Sequence, residues 1–194
     1  MHLPQTQTSH SPSAEKLPVG VRLRSLTSHF DYRGNLTELF RANWETGIAP
    51  LQWNLAKSGA GVLRGVHVHL KHDDYLIVVQ GKASIGLRDL RRGSPTEGVA
   101  VVVEMCGEPL TALTIPPGVA HGFFFHEPSI HVYSVSEYWD PADELGCHWA
   151  DPALEIPWPM TTAIISERDA ALPPLSELVK LISPYQSIRL DRSG

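Results

Sequence analysis

Sixteen prolines and fifteen glycines are spread along the chain and cut it into short segments, most of which have the composition of strands. Tyr75–Val79 is apolar and β-branched, Gln80-Gly81-Lys82 reads as a turn, and Ala83–Leu90 resumes an extended pattern. Arg91-Arg92-Gly93-Ser94-Pro95 reads as a loop. Val99–Met105, Leu110–Ile115 and the alternating run Ile130–Trp139 give further strands. Helical spacing occurs at Pro174–Ile182, where Leu175, Leu178, Val179 and Ile182 share a face and Ser183-Pro184 marks the stop. Many short strands at near-regular spacing predict an all-β barrel or jelly roll, with no internal repeat and no second domain.

Composition narrows the function classes. A chain of 194 residues fits one domain with a sizeable core. Net charge is −5 with scattered cations, so there is no basic stripe for nucleic acid. No apolar run approaches the roughly 20 residues that span a bilayer. Residues 1–17 are polar, lack the apolar centre of a secretion signal and are expected to form a disordered tail. Residues 18–160 are expected to form the barrel, and residues 161–194 a C-terminal segment with a short helix that completes the site. Cys106 and Cys147 lie far apart without a CxxC pattern, which suits a reducing cytoplasm.

The stretch "GVLRGVHVHLKHDDYLIVVQG", Gly61 to Gly81, carries the chemistry. Alternation puts His67 and His69 on one strand face and Val66 and Val68 on the other. If the valines cover the core between two sheets, the histidines meet solvent; if that strand face lines a small barrel, they need a polar purpose. The spacing Gly61, His67, His69, Asp74, Gly81, followed by "PPGVAH" ending at His121, resembles the paired motifs of the cupin superfamily, a double-stranded β-helix. In metal-binding cupins the matching positions, here His67, His69, Asp74 and His121, hold one divalent ion, a donor set suited to Fe, Mn, Ni or Zn. Asp74 stands where the motif usually has Glu, and Phe123-Phe124-Phe125 where an asparagine is common.

Six ordered motifs resemble a narrower family: "FDYRGNLTELF" at 30–40, "VLRGVH" at 62–67, "DLRRGSPTEG" at 89–98, "IPPGVAHGF" at 115–123, "VYSVSEYWDPADELGCHWADPALEIPWP" at 132–159 and "ISERDA" at 165–170. The chain is identified as a member of the dTDP-4-dehydrorhamnose 3,5-epimerases, which are cupin barrels, work without metal and are usually dimers that exchange N-terminal strands. The resemblance implies a cytoplasmic homodimer that epimerises a nucleotide-linked 4-keto-6-deoxyhexose for deoxysugar and polysaccharide synthesis. It implies His67 as base, Asp169 as the carboxylate that orients it and Tyr133 as acid on the opposite face of the sugar. Arg33, Glu38, Gln52, Asn54, Arg64, His121, Glu144 and Arg168 match positions that hold the nucleotide-sugar, and Trp139, with Tyr138, is a candidate to stack on the base.

Two departures fall in that same stretch. His69 replaces the glutamine of "RGLHYQ", and Asp74 occupies the position of a lysine beside the sugar. An uncompensated carboxylate there repels both an enolate and a diphosphate. Three readings stay open: Asp74 pairs with His69 or Lys71 in a working epimerase; a metal held by His67, His69, Asp74 and His121 takes over polarisation of the keto oxygen; or the chain is a metallocupin with different chemistry, or a relic that binds sugars without turning them over. Retention of His67, Asp169 and Tyr133 argues for the first. An imidazole bound to metal through its lone pair cannot also collect a proton with it. Of the other histidines, His72 is expected to be exposed beside Asp73, His126 to sit in a loop, His131 to share a strand face with Tyr133, and His148 to have no role.

Overall fold

The computed structural model describes residues 16–190, with side chains described as far as Pro184. Of the expected 1–17 tail, residues 1–15 lie outside the described residues, and Leu17 packs against the barrel core. The described elements are β1 (Arg22–Ser25), β2 (Ser28–Asp31), β3 (Gly34–Thr37), β4 (Gln52–Ser58), β5 (Leu63–Val68), β6 (Asp74–Gln80), β7 (Lys82–Asp89), β8 (Ala100–Cys106), β9 (Thr111–Ile115), β10 (Val119–Phe125), β11 (Ser129–Val135), β12 (Leu145–Gly146), α1 (Glu167–Ala170) and α2 (Leu175–Leu190). One five-stranded sheet runs β1-β9-β6-β11-β4, its partner runs β12-β5-β10-β7-β8, and β2-β3 form a separate hairpin. The fold is the expected all-β jelly roll.

The central strands of these sheets are covered on both faces, which accounts for runs that are apolar rather than alternating. On β6, Leu76 and Val78 pack between the sheets with Ile85, Leu87, Leu113 and Phe125, while Tyr75 and Ile77 pack outward against Leu26, Phe40 and Trp44. The second sheet is covered from outside by the C-terminal segment. Leu175, Leu178 and Ile182 of α2 meet Val66, Val68, Ala120, Leu154 and Ile156, each contributing about 2 kcal/mol by apolar burial.

Two predicted elements differ in extent. The run expected over Ile130–Trp139 ends at Val135, because the Ser136 N–H donates to the Asp73 carbonyl and turns the chain away. Tyr138 and Trp139 consequently lie beyond the sheet and are exposed. The C-terminal helix does not stop at Ser183-Pro184 but continues to Leu190 with Pro184 inside it. Proline removes one backbone donor from the ladder, and the Ser183 hydroxyl donates to the Val179 carbonyl at 2.7 Å in the same turn.

The 89–98 loop is organised by one carboxylate. Asp89 is buried and accepts from the Arg91 backbone at 3.0 Å, the Arg91 guanidinium at 2.7 and 2.8 Å, Ser94 Oγ at 2.8 Å and Thr96 Oγ1 at 2.6 Å. Burial pushes its pKa up, but the Arg91 and Thr96 hydrogen bonds outweigh this and hold it below the usual carboxylate range. The stabilisation is therefore present above the unfolded value, about 3.9, and is lost as pH falls through the lower folded value. Asp89→Asn should lower stability by about 2 kcal/mol at pH 7, and urea unfolding should show that deficit shrinking below about pH 4. A deficit unchanged down to pH 3 would contradict this account.

Candidate active site

Strand β5 divides its side chains as the alternation requires. Val66 and Val68 are 0% exposed beneath α2, which leaves His67 to face the space between the sheets, the second of the two arrangements the sequence allowed. The C-terminal segment is laced to the same strand. The Leu63 N–H donates to the Ile164 carbonyl at 2.9 Å, and the Ile164 N–H donates to the Gly61 carbonyl at 2.8 Å. Ser166 then caps α1 by accepting from the Asp169 N–H at 3.0 Å. This short turn delivers Asp169 to His67, with Nε2 and Oδ1 2.8 Å apart. Asp169 Oδ2 also accepts from the Gly65 N–H at 3.3 Å.

Burial raises the Asp169 carboxyl, but the hydrogen bond and charge of His67 and the Gly65 N–H together hold it below its ordinary pKa. An ionised carboxylate only accepts, so His67 Nε2 carries the hydrogen and, in the neutral ring, Nδ1 keeps the lone pair. Tyr133 stands on β11, in the opposite sheet, and lines the same cavity of about 460 Å³ as His67 and Asp169. Burial, then Asp74 and Glu144, push its phenol above the usual value, so it is protonated at neutral pH. The neighbouring His131 ring stacks on Tyr133 with centroids 5.9 Å apart. Burial and Arg64 lower that imidazole to about 4, keeping it neutral.

Residues 17–177 match the dTDP-4-dehydrorhamnose 3,5-epimerase family model. The chain belongs to this family. A dTDP-4-dehydrorhamnose 3,5-epimerase of Sinorhizobium fredii is 34% identical over 163 residues, 76% of this chain and 81% of its own. Among solved structures, the Legionella pneumophila dTDP-6-deoxy-D-glucose-3,5-epimerase in complex with dTDP-4-keto-L-rhamnose is 32% identical, covering 82% of this chain and 92% of that one with a TM-score of 0.76. A 3'-monoepimerase of Streptomyces bikiniensis in complex with dTDP-quinovose is 30% identical, with 84% and 87% covered and a TM-score of 0.77.

Most positions expected from the family resemblance gather at this cavity. Gln52 and Asn54 sit on β4, with Gln52 Nε2 donating to Asn54 Oδ1 at 3.0 Å. The Trp139 N–H donates to Gln52 Oε1 at 3.2 Å and places that exposed indole at the cavity mouth. Arg64 is fixed by its Nε donating to Ser58 Oγ at 2.9 Å. Arg168 donates to Glu144 at 3.0 Å, and His121 completes the lining. Tyr138, expected beside Trp139, is exposed and does not line the cavity.

Arg33 and Glu38 are corrections within one chain, because neither lines the cavity. Arg33 lies in the turn of the β2-β3 hairpin, bonded to Asp31, and Glu38 just after β3 pairs with Arg41. The hairpin belongs to neither five-stranded sheet, so its tip has no route into its own chain's site.

The two departures from the family pattern, His69 and Asp74, fall in one cluster with His72 and His121. All four are buried at the cavity wall. Lys71 Nζ pairs with Asp140 at 3.0 Å. Burial above all pushes the Asp74 carboxyl up to about 7. Burial and the charge of His72 take His69 down to about 4, and burial takes His121 down too. His72 was expected to be exposed and is 4% exposed instead, because the chain bends after β5 and folds its ring over His69 with centroids 4.1 Å apart. Strand alternation carries no information past such a bend. Asp143 was missed altogether. Its side chain accepts from the Leu70 and Lys71 N–H groups at 2.9 and 3.1 Å and approaches His72 Nδ1 at 3.2 Å. Its signal was the Asp140-Pro141 start of a short turn.

Gly65 sets how closely β5 and β10 approach. It has φ +117°, and a Cβ there would lie 2.8 Å from both Gly122 Cα and the His121 carbonyl. Gly65→Ala should cost about 2–3 kcal/mol, read as a fall in thermal midpoint. A variant as stable as the parent would show that the strands are not held at this spacing.

Proposed function

We propose that this chain epimerises a dTDP-linked 4-keto-6-deoxyhexose by proton transfer beside the ketone, in deoxysugar and polysaccharide synthesis. One observation carries the reading: the His67–Asp169 pair and the Tyr133 phenol line one cavity from opposite sheets. A carbon next to a carbonyl is acidified because its conjugate base is an enolate. Inversion there needs an acceptor on one face and a donor on the other.

His67 Nδ1 takes the proton. Asp169 holds the ring in the tautomer that leaves that nitrogen free. Tyr133 returns a proton from the other face. Arg64 and Arg168 supply guanidinium groups for the diphosphate, and Trp139 at the mouth offers a face for the base. These steps require no redox or organic cofactor.

The reading includes a homodimer. Phe30, Tyr32 and Leu36 on the β2-β3 hairpin are 66%, 97% and 64% exposed, and Leu55 on the edge strand β4 is 63% exposed. Pairing of two copies covers these groups and carries Arg33 and Glu38 to the other copy's cavity. A cytoplasmic setting is supported by the free thiols of Cys106 and Cys147, the latter buried. Among the described residues no helix is long and apolar enough to cross a membrane.

Purified protein incubated with a dTDP-4-keto-6-deoxyhexose in D₂O and followed by NMR tests the assignment. His67→Ala should abolish deuterium entry beside the ketone, a loss of about 10³-fold or more. Tyr133→Phe should still admit deuterium while inversion falls about 10²-fold. Undiminished exchange in His67→Ala would overturn the assignment of the base.

A further inference from the structure

The proton-transfer set leaves a second cluster without a task. Asp74 Oδ2 lies 3.9 Å from His69 Nε2, 3.9 Å from His72 Nε2 and 3.8 Å from His121 Nε2. Donor atoms of His69, His72 and Asp74 all fall within 4.8 Å of one another. The far nitrogen of each ring meets an oxygen. His69 Nδ1 is 3.1 Å from the Asp143 carbonyl, His121 Nδ1 is 3.1 Å from the Val119 carbonyl, and His72 Nδ1 is 3.2 Å from Asp143 Oδ2. Carbonyls and carboxylates only accept, so Nδ1 holds the hydrogen in each ring, and in the neutral imidazole Nε2 holds a lone pair. With all three rings neutral, three lone pairs are thus aimed at the region of one carboxylate oxygen, at separations too long for hydrogen bonds. Metal-binding histidines are oriented in this way, with the second nitrogen donating to a carbonyl or carboxylate.

We propose that His69, His72, Asp74 and His121 bind one divalent first-row transition metal ion. Three imidazoles and a carboxylate suit zinc, iron, nickel or cobalt rather than magnesium or calcium. His67 is not a member, because its Nε2 is committed to Asp169, so binding a metal does not consume the proposed base. Asp143 acts as a positioning residue, fixing His69 through its carbonyl and His72 through its carboxylate. A dication on this wall supplies the positive charge that a lysine supplies at the Asp74 position in the family pattern, where it can stabilise an enolate oxygen. That role rests on the epimerase reading; the binding itself rests only on the cluster.

The rival occupant is a proton on Asp74. The experiment therefore measures metal without sugar, on the full chain prepared with no affinity tag of histidines. Elemental analysis of protein purified without chelator should find about one metal ion per chain, and chelator-stripped protein should take up one equivalent of Co²⁺ or Zn²⁺ by calorimetry. His69→Ala and His72→Gln should weaken uptake by at least about 100-fold, Asp143→Asn by about 10-fold, and His67→Ala should leave it intact. Thermal unfolding of each variant without metal shows whether it is folded, and added Co²⁺ should raise the midpoint of the parent alone among the parent and the His69 and His72 variants. Stripped parent protein that binds neither ion, or loss of binding in His67→Ala with retention in His72→Gln, overturns the proposal. Metal uptake without deuterium exchange into the keto sugar supports the site and counts against the epimerase reading instead.

Discussion

The hydrogen bond between His67 and Asp169 is the contact on which the site depends. Its partners are 102 residues apart, and bringing them together requires that the C-terminal segment fold back onto β5. The Ile164 bridge, the Ser166 cap and the apolar face of α2 each serve that end. Burial alone raises the pKa of the Asp169 carboxyl; the imidazole beside it reverses the sign. Fold and proposed chemistry meet here, since α2 covers Val66 and Val68 while Asp169 fixes the ring that stands between them on the other face.

Alternation along β5 and two-sided coverage of the sheets divide the molecule into layers. Aliphatic groups fill one part of the space between the sheets, and the cavity fills the rest with imidazoles, carboxyls and a phenol. Where these groups are buried, each charge must be matched or removed. Burial keeps His131 neutral and pushes the Tyr133 phenol up. Around Asp74 the same pressure acts on a carboxylate faced by three imidazoles, the arrangement that a dication would satisfy.

Much of this was legible in the sequence because the signals were local. Proline and glycine spacing gave the strands, and alternation separated Val66 and Val68 from His67. The ordered motifs named the family, and with it His67, Tyr133 and Asp169, which the fold brings to one cavity. The misses share a physical cause: each depends on where the chain turns. His72 becomes buried only because the chain bends after β5. Asp143 reaches the cluster through the short turn that Asp140-Pro141 starts, a local signal that does not say which strand the turn meets. Arg33 and Glu38 lie on or just after a hairpin that belongs to neither five-stranded sheet, and they do not line their own chain's cavity. Helix α2 passes Pro184, where a local rule predicted a stop.

The central claim is that the neutral His67 ring keeps an unprotonated Nδ1 because its Nε2–H donates to Asp169. Long-range ¹H–¹⁵N correlation spectra of protein labelled in its histidine rings measure this directly, at a pH where the ring is neutral. The account predicts that His67 shows a protonated Nε2 and an unprotonated Nδ1, and that Asp169→Asn shifts that ring's signals. A His67 with the hydrogen on Nδ1, or one whose signals do not change in Asp169→Asn, would contradict it.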